Sequence, residues 1–124
     1  MSVEQWTVEL YTENENTESK ESIVEKELKE FGTKQFSKVF RIISLLEDYG
    51  LELGGDYLEH IQGKLWQLRV DRVRVLYFTF TGRKIVLLRA FMKKTAKTPL
   101  REIGIATKRM DKYVIQAAKL NIER

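Results

Sequence analysis

Three apolar runs separated by breaks of two and three residues constrain this chain most: Leu65 to Val70, Val73 to Phe80 and Lys84 to Met92. Each is rich in branched and aromatic residues and shorter than a typical helix. Breaks as short as Asp71-Arg72 and Thr81-Gly82-Arg83 leave room only for hairpins, so the runs are predicted to form an antiparallel meander. The last run empties into Lys93-Lys94-Thr95-Ala96-Lys97-Thr98-Pro99. Thr98-Pro99 reads as a helix N-cap followed by proline in the first turn, where its missing N–H costs nothing. A basic sheet that meets a basic loop is suited to receiving phosphates.

Charge is unevenly spread along the chain. Residues 1 to 62 hold 6 Lys+Arg against 14 Asp+Glu, whereas residues 63 to 124 hold 16 against 4, so the overall +4 conceals a dipolar molecule. One side attracts a polyanion; the other repels it or serves a different partner. The chain has no cysteine, which excludes disulfides and thiolate metal sites, and its single histidine, His60, excludes a multi-histidine site. No apolar run approaches the roughly 18 residues needed to span a bilayer, and the N-terminus lacks a secretory pattern, so a soluble, cytoplasmic protein is expected. At 124 residues and 43% hydrophobic content, one domain covering residues 1 to 124 is expected.

The rest of the chain supplies one more strand and three helices. Val3 to Tyr11 alternates as a half-buried strand, and the polar tract Thr12 to Lys20 ends it. Ser22 with Glu25 has the form of a capping box before a stripe that closes at Gly32. Thr33 is placed to cap a second helix that runs to Gly50. Leu51 to Gly63 carries three of the seven glycines and no period, so a surface loop is expected. Leu100 to Leu120 keeps helical spacing. The predicted order β-α-α-β-β-β-α describes an α+β domain with helices packed on a small antiparallel sheet.

Alternation within the meander decides which side chains can meet. Gln67 and Arg69 share a face of their strand, Arg72 and Arg74 share a side of the next, and Arg89, Phe91 and Lys93 share a side of the third. Cations brought side by side repel one another, an arrangement that is useful where an anion arrives. Arg83 and Lys84 read instead as turn residues that guard the sheet edge. His60 is expected to make a loop hydrogen bond, and Tyr77 to pack in the core.

These residues resemble a known family. Leu65-Trp66-Gln67-Leu68-Arg69, Arg74-Val75-Leu76-Tyr77-Phe78 and the stretch Ile85 to Pro99 are similar to the core signature of the phage-derived RelE/HigB toxins of type II toxin-antitoxin systems. The similarity runs from roughly residue 36 to 118, and Phe91 to Pro99 is its most specific part. It implies a RelE-like α+β fold and a ribosome-dependent mRNA endonuclease (an mRNA interferase) that inhibits translation without metal or other cofactor. It also implies a helix-turn-helix antitoxin partner of the HigA kind, with a heterotetramer as one form of the complex. Charge, not the resemblance, points that partner to the acidic N-terminal half, which repels RNA and so leaves the basic residues to the substrate. Carried over position by position, it makes Arg69, Arg74, Lys93 and Lys94 the catalytic candidates, with Arg74 on the scissile phosphate. Lys64, Arg72, Arg89, Phe91 and Lys97 become the candidates for RNA contact. Two other functions fit a basic sheet of this kind: a non-catalytic RNA- or protein-binding module, and a phage-derived assembly protein on the same scaffold.

Overall fold

The structure, a computed structural model, describes residues 5–13 and 21–123, and side chains as far as Leu120. The meander forms as the sequence predicts: β3 (Leu65–Val70), β4 (Val73–Phe80) and β5 (Lys84–Met92) pair antiparallel in sequence. Asp71 takes the left-handed conformation, φ 53°, in the tight β3–β4 turn, which aspartate tolerates better than most residues. Strand β1 (Thr7–Leu10) adds to the free edge of β5 in parallel, so that Thr7 faces Lys84 and Leu10 faces Leu87. Val3, Glu4 and the tract from Asn14 to Lys20 lie outside the described residues.

One segment departs from the sequence reading. Within the stretch expected to be a loop, Gly50–Leu53 makes a 3-10 turn and Leu58–Gln62 forms β2, an edge strand antiparallel to β3. The expected element order is thus present with a strand added, and the sheet runs β1-β5-β4-β3-β2.

Helix α1 (Ile23–Lys29) is only two turns long, too short to persist by itself in water. Burial holds it, because Val24 and Leu28 are fully enclosed. Each such side chain contributes about 1.5–3 kcal/mol. Ser22 caps the helix as expected: its Oγ accepts from the Val24 and Glu25 amides and donates to the Tyr11 carbonyl, which ties the end of β1 to the start of α1. Helix α2 (Thr33–Tyr49) is not capped by Thr33; Gly32 takes the N-cap position with φ 92°, and no side-chain cap forms. At its other end Gly50 is obligatory. Its φ is +57°, and a Cβ there would sit 2.2 Å from the Trp6 indole nitrogen.

Helix α3 (Leu100–Glu123) closes the fold. Positions Val73 to Phe78 and Ile85 to Leu88 are buried without alternation, so helices cover both faces of the central strands. The β4–β5 register shifts between Leu76 and Tyr77, which leaves Leu88 as an extra residue in β5. Its carbonyl accepts from Arg109 of α3 at 2.8 Å. No helix among the described residues is long and apolar enough to cross a membrane.

Candidate nucleic-acid site

Pairing register builds the site. Arg69 lies opposite Arg74, and Arg74 opposite Phe91, so three neighbouring strands place these residues in one row across the sheet. The row floors a cleft of about 400 Å³. One wall is the loop from Lys93 to Pro99 with Ile103 of α3, and the other is the newly found strand β2, from Glu59 to Gln62. Five cations line it, Arg69, Arg74, Lys93, Lys94 and Lys97, against the single carboxylate of Glu59.

The arginines are held by backbone carbonyls. Arg74 Nη1 donates to the Asp71 carbonyl at 2.7 Å and the Val73 carbonyl at 3.0 Å, and the residue is only 9% exposed. Burial, and then the neighbouring Arg69 charge, push its pKa down. Arginine has the margin to remain a cation through such a shift. Arg69 donates through Nη2 to the Gly55 carbonyl at 2.5 Å, its Nη1 stays 3.8 Å from Glu59, and its buried Nε has no partner among the described residues. Two guanidinium groups thus face one cleft with no carboxylate at hydrogen-bonding distance. Such a cluster gains stability when an anion enters.

Gln67 connects the walls. Its Nε2 donates to Glu59 at 3.3 Å and its Oε1 accepts from the Thr98 hydroxyl at 3.0 Å. The Pro99 carbonyl starts α3 by accepting from the Glu102 and Ile103 amides, so Pro99 rather than Thr98 stands at the N-cap position, and the Thr98 hydroxyl donates to Gln67. Beyond β5 the ladder continues one step. The Lys93 amide donates to the Arg72 carbonyl at 2.7 Å, and Arg72 Nη2 returns a bond to the Lys93 carbonyl at 3.2 Å.

The sequence candidates divide accordingly. Arg69, Arg74, Phe91, Lys93, Lys94 and Lys97 come together in the cleft, and Arg72 braces its rim. Lys64 does not join them, because it lies in the turn before β3, at the far end of the sheet near Trp66 and Phe78. Arg89 is withdrawn as well: its guanidinium bonds Glu27 of α1 at 2.6 Å and Glu102 of α3 at 2.7 Å. Arg109 joins Glu27 at 2.9 Å, which completes a buried network.

Glu59 and His60 are cleft residues that sequence reasoning missed, because their strand was read as loop. His60 makes the expected hydrogen bond, from Nε2 to the Gly63 carbonyl at 2.8 Å, while its ring lies 5.0 Å from Trp66. Tyr77 is fully buried, as expected, and burial pushes its pKa far up. Tyr113 lies away from the cleft. It donates to Glu9 at 2.6 Å, and burial together with that bond keeps it neutral well beyond the usual tyrosine range. No cluster of metal-ligating side chains occurs among the described residues.

Comparison with known proteins places this geometry in context. No curated protein sequence matches the chain. Among solved structures, a chain of the toxin-antitoxin complex RelBE2 from Mycobacterium tuberculosis superposes with a TM-score of 0.51 at 16% identity, over 72% of this chain and 99% of that one. At that identity the likeness is one of fold, and the fold is RelE-like. The family of proteins described as phage-derived Gp49-like (DUF891) matches residues 26–111, which takes in α2, all of β2 to β5 and the cleft. The match spans most of the sequence, and the chain belongs to the phage-derived Gp49-like family.

Proposed function

We propose that this protein is the toxin of a type II toxin-antitoxin pair, a single RelE/HigB-like domain acting in the cytoplasm, and that its cleft cleaves mRNA on the ribosome. The observation that carries the reading is the row Arg69–Arg74 facing an open cleft whose five cations meet one carboxylate. The RelE-like fold and Gp49-like membership support the same reading. The proposed partner is a HigA-like helix-turn-helix antitoxin, with a heterotetramer as the assembled form.

The chemistry uses the substrate's own 2′-OH. Its oxygen attacks phosphorus, the bond from phosphorus to the 5′-oxygen breaks, and the products are a 2′,3′-cyclic phosphate and a 5′-OH. Arg74 and Arg69 hold the phosphate, and their forks, with Lys93 and Lys94, stabilise the charge that develops on the phosphorane. Glu59 takes the 2′-OH proton as the one carboxylate among the described residues of the cleft. The leaving 5′-oxygen takes its proton from solvent, because alternation along β2 turns the His60 ring toward Trp66 and away from Glu59 and Gln67. Positioning supplies much of the rate, and the ribosome orders the flexible RNA strand that this small surface cannot order alone.

Inducing the chain alone in a bacterium tests the reading. Translation arrest with mRNAs cut within codons is the expected result. Normal growth at verified soluble expression overturns it.

A further inference from the structure

A second surface lies at the opposite end of the sheet. Val114, Ile115 and Leu120 are 42%, 56% and 53% exposed along the outer half of α3, and Trp66 is 39% exposed across from them. Two grooves flank this half of the helix. One, of about 800 Å³, runs between α3 and the ends of β3 and β4, over Trp66, Phe78, Phe80, Met110, Val114 and Ile115. The other, of about 480 Å³, runs between α3 and β1, over Leu10, Tyr113, Ala117 and Leu120. Phe80 and Ile115 line both, so the two form one continuous apolar surface.

Charge selects its occupant. Lys64, Lys84 and Lys112 stand at the groove rims, and Lys108 and Lys119 are exposed on the same helix. Among the described residues, the acids that line the grooves are Asp111, Glu13 and Glu9. Glu9 is already engaged by Tyr113 and Lys84. The remainder is positive. A second copy of the chain would bring the same cations against these, whereas a chain with acids beside its apolar residues would answer both features at once.

We propose that these grooves dock an acidic amphipathic helix of a partner protein. The inference rests on the toxin reading, under which that partner is the inhibitor. Neither groove shares a residue with the cleft. Along β4, Arg74 and Phe80 are six residues apart, or roughly 20 Å in an extended strand. The occupant therefore leaves Arg69 and Arg74 uncovered and inhibits by its bulk, which denies the toxin a confined ribosomal site. This moves the docking surface from the acidic N-terminal half, where the sequence placed it, to the basic C-terminal helix.

The test uses a fluorescein-labelled 18-residue peptide with leucines at helical i, i+3, i+4 and i+7 spacing and glutamates elsewhere, titrated by anisotropy. A counterpart with lysine for glutamate is the control. The acidic peptide should bind at least about tenfold more tightly than the basic one, and more weakly as salt rises. Ile115→Asp and Lys112→Glu, both at exposed positions, should each weaken binding by at least about tenfold and leave growth arrest intact. Arg69→Ala should bind the peptide as the parent does. Failure of the acidic peptide to bind, equal affinity for the two peptides, or binding lost in Arg69→Ala but kept in Ile115→Asp overturns the proposal. So does self-association in the ultracentrifuge that Ile115→Asp abolishes. Peptide binding without growth arrest in the parent would overturn the toxin reading and leave the docking surface standing.

Discussion

Two pairs of arginines, one within the sheet and one between it and α3, are used in opposite ways. Arg89 and Arg109 share Glu27, and Arg89 also holds Glu102, so their charges are neutralised inside the protein. Arg69 and Arg74 face each other across β3 and β4 with only carbonyl oxygens in hydrogen-bonding reach. The first pair joins α1, β5 and α3 into one body. Among the described residues the second meets a single carboxylate, Glu59, at 3.8 Å from Arg69, and this surplus of positive charge is what the proposed RNA site rests on. A guanidinium count along the sequence does not separate the two; the position of two glutamates does.

Removing the shared carboxylate should therefore cause the largest change. Glu27 accepts from Arg89, Arg109 and the Ala90 amide, and Glu27→Ala leaves the buried Arg109 without a carboxylate and Arg89 with Glu102 alone. An unfolding free energy lower by about 3–5 kcal/mol is expected in urea titration. A loss below about 1 kcal/mol would mean that the two pairs do not differ as described.

Arg74→Lys probes the other pair. It keeps the charge and loses the planar fork, so cleavage on the ribosome should fall at least about tenfold, or about 1.4 kcal/mol of transition-state stabilisation. The urea midpoint should move less than in Glu27→Ala. Equal cleavage by the variant would reduce Arg74 to a point charge.

Arg69→Ala sharpens the distinction by salt. A cation that meets phosphate releases counterions, so the slope of log affinity for single-stranded RNA against log salt should become shallower by about 0.7. The same slope in an Arg89 variant would place Arg89 in the RNA contact as well. Lys84→Ala should do least. Its pair with Glu9 spans 3.4 Å between groups about 40% and 36% exposed, which is worth about 0–1 kcal/mol, and cleavage should be unchanged.

Local pattern made the central fold legible. The bounds of β3, β4 and β5 match the apolar runs because period, composition and short turns agree there. Leu58–Gln62 gave no such agreement: it is short, has Gly63 directly after it and Gly54-Gly55 shortly before it, and is a strand because Trp66 to Leu68 pair with it. Missing that strand hid Glu59 and His60. The lysine loop was legible because its charges are contiguous, and Arg69 with Arg74 because a two-residue turn forces them together. Arg89 was misread for the opposite reason. Its partner Glu27 is 62 residues away, and nothing local to either residue announces the pair.

The parallel joining of β1 to β5 sets an order of events during synthesis. Thr7 waits for Lys84, so the first strand to be made is among the last to be paired. At about 5–20 residues per second that wait is on the order of ten seconds, with Val8 and Leu10 lacking their partner strand. The cleft waits longer still, since Lys93 to Pro99 and Ile103 form its wall. A chain released before Lys93 can complete the sheet but lacks this wall, and one released before Lys84 lacks the partner of β1 as well, so the cleft is the last part of the molecule to exist.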